Sequence, residues 1–333
     1  MNLDELEAAE QAEIAAKKKK NRKFSIFNRQ KKDRPDVLPQ DEYKGHDLKG
    51  FFIRYKRNFT KLVYVNFLII FGNFPLWFLL IALSGAFKID FTTPMSEIFP
   101  ALHASSLLGD GVTPAQLLQY GIYGMQSPTT AMTATSYVFL GLSALTVFTF
   151  GIVNVGTTYI MRNMVKGEPV FIWTDFWYAV KRNFKQAFIY GIIDAVLLVL
   201  IPFNLAYLYL NSYNILITIF FYLTLIFSFI YFVMRFYIYL QMVTFDLRIG
   251  KILKNSLIFV PLGIKRNLMA FLGIILTVIL NILSLLFLPP LGVALPLVAV
   301  FSGTAFMSCY AAYYKMKEIM IDPYYDENGN PIK

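Results

Sequence analysis

Of the acidic residues in this 333-residue chain, Asp194 alone falls inside a long apolar run. A carboxylate at membrane depth is costly to keep ionised, so it marks either a site or a pair. Counted from Gln186 at 1.5 Å per residue, it lies ~12 Å into its helix. Arg235, near the inner end of the next apolar run, reaches a similar depth, and the two are expected to form an ion pair joining the third and fourth spans. Such a pair would staple the bundle. The alternative is a group that couples to a proton or a substrate. Five amides, Asn66, Asn73, Asn154, Asn204 and Asn281, also fall in apolar runs. Their spread over several spans suits interhelical hydrogen bonding better than one binding cluster.

Other chemistry is sparse. The chain has two histidines, His46 and His103, and one cysteine, Cys309. A single cysteine excludes a disulfide framework and a cysteine-based metal site. His103, Asp90, Glu97 and Asp110 share one segment at no ligand spacing, and no metal is expected there. Phosphate-binding loops, HExxH, GxSxG, paired-carboxylate spacings and dinucleotide fingerprints do not occur. No catalytic residue and no cofactor is therefore expected.

The elements that must position these groups follow from composition. Hydrophobic residues make up 56% of the chain, aromatics 17% and charged residues 16%, far from the usage of an ordinary soluble domain. Apolar runs of the ~20 residues needed to cross a hydrocarbon core recur. Six spans are expected at about 62–86, 130–160, 186–210, 214–240, 269–288 and 291–314. The net charge of +10 points away from nucleic acid because of where it lies. With the N-terminus inside, every one of the 31 lysines and arginines except Lys88 falls in or beside an inner segment. This is the signature of a multi-pass protein of the cell membrane with both termini cytoplasmic. No cleavable signal peptide is readable, since about 60 polar residues precede the first span.

Three short motifs divide the membrane part. Lys56-Arg57-Asn58, Lys181-Arg182-Asn183 and Lys265-Arg266-Asn267 each close an amphipathic segment and open into an apolar run. In the second copy Ile172, Trp173, Phe176, Trp177, Val180 and Phe184 form the apolar face. In the third, that face is Ile249, Ile252, Leu253, Leu257 and Val260. Trp and Tyr favour the headgroup level, so these segments are expected as helices in the inner interface. The three lysine–arginine–asparagine motifs, with Trp173 and Trp177, are candidate structural anchors there. The asparagines are spaced by 125 and 84 residues, and the 41 residues of an outer segment, 87–127, account for the difference. The expected fold is thus an all-α membrane protein: six transmembrane helices as three parallel-repeat hairpins, each preceded by a cytoplasmic-side amphipathic helix.

Around the membrane domain (51–317) lie a charged tail (1–50) and a short one (318–333). Within the first, acidic residues followed by Lys17 to Lys20 suit a short helix. Phe24, Ile26 and Phe27 among Arg and Lys suit either a lipid-bound arm or a solvated tail. The long outer segment is a natural contact surface. The second span is rich in Thr, Ser, Ala and Gly, which places it centrally in the bundle.

The chain resembles the YesL-like bacterial membrane proteins, a domain-of-unknown-function group. The resemblance rests on Pro128-Thr129-Thr130-Ala131, Met161-Arg162-Asn163 with Gly167-Glu168, Asp175-Phe176-Trp177, Asn183-Phe184-Lys185-Gln186, and Lys254 to Phe259 with Arg266-Asn267. It implies a companion of carbohydrate-uptake systems and supplies no catalytic or ligand-binding residues. The expected function is a non-enzymatic accessory or scaffold of a carbohydrate-uptake or envelope assembly, with the lipid bilayer and transporter or other membrane-protein subunits as partners and no nucleic acid. The alternative is a secondary carrier or channel with a polar path near Asp194 and the second span. A lipid-modifying enzyme would need a polar pocket at the interface, for which no residue cluster is seen.

Overall fold

The computed structural model describes residues 45–108 and 112–324. The expected helix and basic arm before residue 45, Asp110, and the tail from residue 325 lie outside the described residues. Helix α1 (Leu48–Arg57) is opened by Asp47, whose side chain accepts the Gly50 N–H at 3.0 Å, and it carries Arg54, Lys56 and Arg57 in its last turn. Both features complement the helix dipole. Its buried Phe51 packs on the rings of Phe306 and Tyr310.

Helix α1 stops at Asn58, where the backbone takes φ −98°, ψ 8° before α2 (Phe59–Gly72) begins. A second break, at Asn73, separates α2 from α3 (Pro75–Leu83), and the two are bent by 67°. The expected first span, 62–86, is therefore not one straight helix. Pro75 has no N–H to give the Phe71 carbonyl, which Phe74 N–H takes instead at 3.3 Å.

A short strand pair follows α3 within the mainly helical chain. Strands β1 (Lys88–Pro94) and β2 (Gln126–Met132) pair antiparallel with Asp90 opposite Thr130. The Thr130 hydroxyl donates to the Asp90 carboxylate at 2.8 Å. Between the strands lie α4 (Phe99–Leu107) and α5 (Pro114–Tyr123), the latter opened by a Thr113–Gln116 capping box. Thr129 and Thr130 thus belong to a strand, and the expected second span starts later. It consists of α6 (Ala134–Ser143), capped by Thr133, and α7 (Thr146–Lys166), which ends at Gly167 with φ 82°.

Helix α8 (Ile172–Leu210) is interrupted at Asn183 (φ −112°, ψ 15°), and α9 (Ile215–Thr244) returns beside it. Helix α10 (Ile249–Leu262) meets α11 (Ile264–Phe287) at Gly263 (φ −98°, ψ 15°). Here Lys265, Arg266 and Asn267 lie inside α11 instead of forming the turn. Helix α12 (Pro289–Leu295), a π-helical turn (Pro296–Val300) and α13 (Phe301–Met320) complete the bundle.

Among the described residues, five helical stretches are long and apolar enough to cross a membrane: Ala134–Lys166, Ile172–Leu210, Ile215–Thr244, Ile264–Phe287 and Pro289–Tyr324. The bent pair α2–α3 makes six if it counts as one span. The protein is a multi-pass membrane protein of mainly helical structure, suited to a lipid bilayer.

The core lies where α7, α8, α9 and α13 meet, with Ile160, Met164, Tyr237, Phe306 and Met316 fully enclosed. Closest approach occurs between Gly151 of α7 and Gly191 of α8. A Cβ on Gly151 would overlap the Ala187 carbonyl, and one on Gly191 would overlap the Gly151 Cα. Small residues at such a crossing let backbones touch and gain dispersion energy. Gly141 and Gly250, also helical, have open space where a Cβ would stand. Gly191→Ala should therefore lower the unfolding free energy in detergent by about 1–3 kcal/mol through forced overpacking, read as a lower unfolding temperature. Gly141→Ala should leave the stability unchanged or raise it by about 0.5–1 kcal/mol. Equal effects at the two positions would refute the tight crossing.

Candidate functional site

Asp194 sits one helical turn beyond Tyr190 on α8, and α9 presents Tyr231, Arg235 and Tyr239 at spacings of four. These two faces meet. Arg235 Nε donates to Asp194 Oδ1 at 2.7 Å and its Nη2 to Oδ2 at 3.0 Å, a two-pronged pair. The Tyr231 hydroxyl donates to Oδ1 at 2.7 Å and the Tyr239 hydroxyl to Oδ2 at 2.7 Å. Tyr190 and Tyr231 hydroxyls lie 3.3 Å apart. Asp194 is wholly enclosed, and each carboxylate oxygen holds two donors. Arg235 stands 5.8 Å from the Phe150 ring centre. The charge is thus neutralised and hydrogen-bonded, the condition under which a buried ion is tolerated.

A second polar cluster holds the C-terminal end of α9. Arg182 Nη2 and Arg162 Nη1 both donate to the Val243 carbonyl, at 2.6 and 2.8 Å, and Gln186 Nε2 donates to the Leu247 carbonyl at 2.9 Å. Arg162 also reaches Asn163 Oδ1 through Nε and Nη2 and stacks over Tyr159. Two guanidinium groups at a helix C-terminus meet free carbonyls and the negative end of its dipole.

The other expected anchors divide by residue type. Lys56, Arg57, Lys181 and Lys265 are exposed. Trp173 and Trp177 point away from the bundle, at 65% and 50% exposure, although Phe176 and Val180 beside them are buried. The asparagines turn inward. Asn58 Nδ2 donates to the Arg54 carbonyl and Asn183 Nδ2 to that of Ala179. Asn267 Nδ2 reaches back across the Gly263 break to the Phe259 and Val260 carbonyls, and its Oδ1 accepts from the Tyr237 hydroxyl at 2.7 Å. In the third amphipathic helix Leu257 is exposed, and the enclosed Ser256 accepts from Gln241 instead.

The intramembrane amides do not converge on one cavity. Asn66 donates to the Pro296 and Leu297 carbonyls and accepts the Ser302 N–H, tying α2 to the π-helical turn. Asn281 donates to the Gly292 carbonyl, four residues before Pro296, which has no N–H to serve it. Asn73, Asn154 and Asn204 bond within their own helices. Among the described residues no three His, Cys, Asp or Glu side chains stand together as metal ligands would.

A cleft of about 860 Å³ opens between α1, α11 and α13. His46, Asp47, Arg266 and Tyr310 stand among its polar lining; Met269, Gly273, Leu276 and Leu280 line its apolar length. His46 stacks on Tyr314 at 3.9 Å. Burial holds its pKa below the ordinary value, helped by Arg54, Lys317 and Arg266 and opposed by Asp322.

Removing one partner of the Asp194 network separates a staple from a reactive group. Asp194→Asn leaves the Arg235 charge uncompensated and should cost about 3–5 kcal/mol. The double variant Asp194→Leu/Arg235→Met should recover much of that loss, measured as unfolding temperature in detergent. Single and double variants of equal stability would show that the pair is not holding α8 to α9.

No curated protein and no solved structure matches the chain. Residues 62–205 match the model of a family described as "Protein of unknown function, DUF624". That stretch runs from the first buried residue of α2 through α7 and most of α8, and it contains Asp194, Arg162 and Arg182. The match agrees with the resemblance to YesL-like proteins over this stretch, which is less than half of the chain.

Proposed function

We propose that the protein is a non-enzymatic membrane scaffold, an accessory of a carbohydrate-uptake or envelope assembly in the cell membrane. The observation that carries this reading is the sealed carboxylate. A carrier that used Asp194 would need it to face a cavity and to change partners during the cycle. Asp194 is instead enclosed, with four donors on its two oxygens. Gly151, Gly156 and Thr157 of the second span are also taken up by packing. Gly151 packs on α8, Gly156 on the Phe176 ring, and the Thr157 hydroxyl on the Val153 carbonyl. The link to carbohydrate uptake rests on the family resemblance.

In this reading α2 and α3 are one broken span, which makes six crossings with both termini cytoplasmic. The three amphipathic segments, each ending in a backbone break at Asn58, Asn183 or Gly263, form the inner contact surface, and the strand pair with α4 and α5 forms the outer one. The positions of the basic residues support this orientation, with Lys88 of β1 alone outside.

Two measurements test the proposal. With the buried Cys309 replaced by Ala, Lys88→Cys should react with a membrane-impermeant maleimide on intact cells. Glu318→Cys, on α13, should react only after permeabilisation. Labelling of Glu318→Cys from outside would overturn the orientation. Purification in mild detergent should recover defined membrane-protein partners that the stable double variant Asp194→Leu/Arg235→Met still retains. Recovery of the protein alone, with saturable sugar flux in liposomes that this variant abolishes, would establish the carrier instead.

A further inference from the structure

The cleft between α1, α11 and α13 has the form of an amphiphile. Its polar mouth is set by the end of the chain before α1 and the first turn of α11, where His46 and Arg266 stand near the face of Tyr314. From Arg266 to Leu280 its wall follows α11 for 14 residues, or ~21 Å at 1.5 Å per residue. That exceeds half of the ~30 Å hydrocarbon core, the depth belonging to one leaflet. Along this length the wall is Met269, Ala270, Gly273, Leu276 and Leu280, with Met307 opposite from α13. Gly273 keeps the slot open, since a Cβ there would stand 3.3 Å from the Met307 sulfur.

The mouth is positively biased. Arg54, Arg266 and Lys317 bear on His46, and Asp322 opposes them. Asp322 lies 3.8 Å from Lys317, and Asp47 spends one oxygen on the Gly50 N–H. Arg266 has no hydrogen bond or ion pair among the described residues and only the Tyr314 ring at 5.8 Å. An arginine with five donors in fixed array and no acceptor, at the head of an apolar slot one leaflet deep, matches a phosphate carried on an acyl chain. Basic pockets between spans bind anionic lipid headgroups in this way.

We propose that the cleft between α1, α11 and α13 is a binding site for one anionic glycerophospholipid, with its phosphate at Arg266 and His46 and one acyl chain along Met269 to Leu280. Each methylene withdrawn from water into such a slot adds to the affinity of an amphiphile. The headgroup charge supplies selectivity, through the acceptor that Arg266 lacks.

The test uses the full chain in mild detergent, titrated with phosphatidylglycerol or phosphatidylcholine and read by native mass spectrometry as lipid retained per chain. One phosphatidylglycerol should be retained at least tenfold more strongly than phosphatidylcholine. Arg266→Gln should erase this preference. Gly273→Leu should weaken retention of both lipids by filling the slot while leaving the mouth intact. Both variants should keep the helical circular dichroism of the parent. If one of them does not fold, the other, together with competition by soluble glycerol phosphate, decides the question. Equal retention of the two lipids, an unchanged preference in Arg266→Gln, or full displacement by glycerol phosphate would each overturn the proposal.

Discussion

A helix that breaks where it is packed frees backbone groups that must find partners, and this constraint organises the bundle. The breaks are many: at Asn58, Asn73, Asn183 and Gly263, and around Pro296. An asparagine serves each one. Asn58, Asn73 and Asn183 sit in the bridge region near φ −100°, and each folds its amide back onto the carbonyl four residues earlier. Their short side chains compete well with regular helix, which is why Asn tolerates these positions. Where the break falls on glycine, Asn267 reaches across from the next helix. Where proline removes a donor, Asn281 supplies one, and Asn66 binds both sides of the π-helical turn. Each amide nitrogen gives its hydrogen bond to the backbone, while Asn73 Oδ1 is buried without a partner.

Much of this was legible beforehand, and what was not has physical causes. Spans read well because hydrocarbon thickness acts on whole segments. The pairing of Asp194 with Arg235 was suggested by depth alone, since an isolated charge at that depth must find its opposite. The tyrosines around it were missed, although Tyr231, Arg235 and Tyr239 at spacings of four announce one helix face. Aromatic residues are so common in this chain that their periodicity carried no contrast. The broken first span went unread because hydropathy does not register a bend; Pro75 beside Asn73 was the available signal. The strand pair was hidden for a different reason. Thr129 and Thr130 suit a strand edge and a helix start equally, and only pairing with residues 40 positions away decides between them.

The lysine–arginine–asparagine motif also separates into three roles that spacing could not distinguish. The lysines are exposed. The asparagines are backbone partners. The arginines differ from copy to copy: Arg182 grips a helix end and Arg266 heads an apolar cleft. One motif therefore places a helix-end contact at Arg182 and backbone partners at its three asparagines. A purely compositional reading, in which all three residues snorkel, merges these roles.

Why the chain keeps a charged pair where apolar residues could pack as well is a question of register, because buried pairs add little net stability. Helices α8 and α9 run antiparallel and are otherwise apolar, and dispersion alone would accept a shift of one against the other. Polar ties hold them at two heights. Arg182 meets the Val243 carbonyl, and eight residues earlier on α9, ~12 Å along its axis, Arg235 meets Asp194. A slip of one turn would strand Asp194 and Arg235 together and pull Arg182 off its carbonyl. Between these ties Gly191 must meet Gly151, a contact that fails if α8 moves by a single residue. The ions therefore fix which residues of the packed helices face one another. A carboxylate held for that purpose is best fully satisfied and shut away, as Asp194 is.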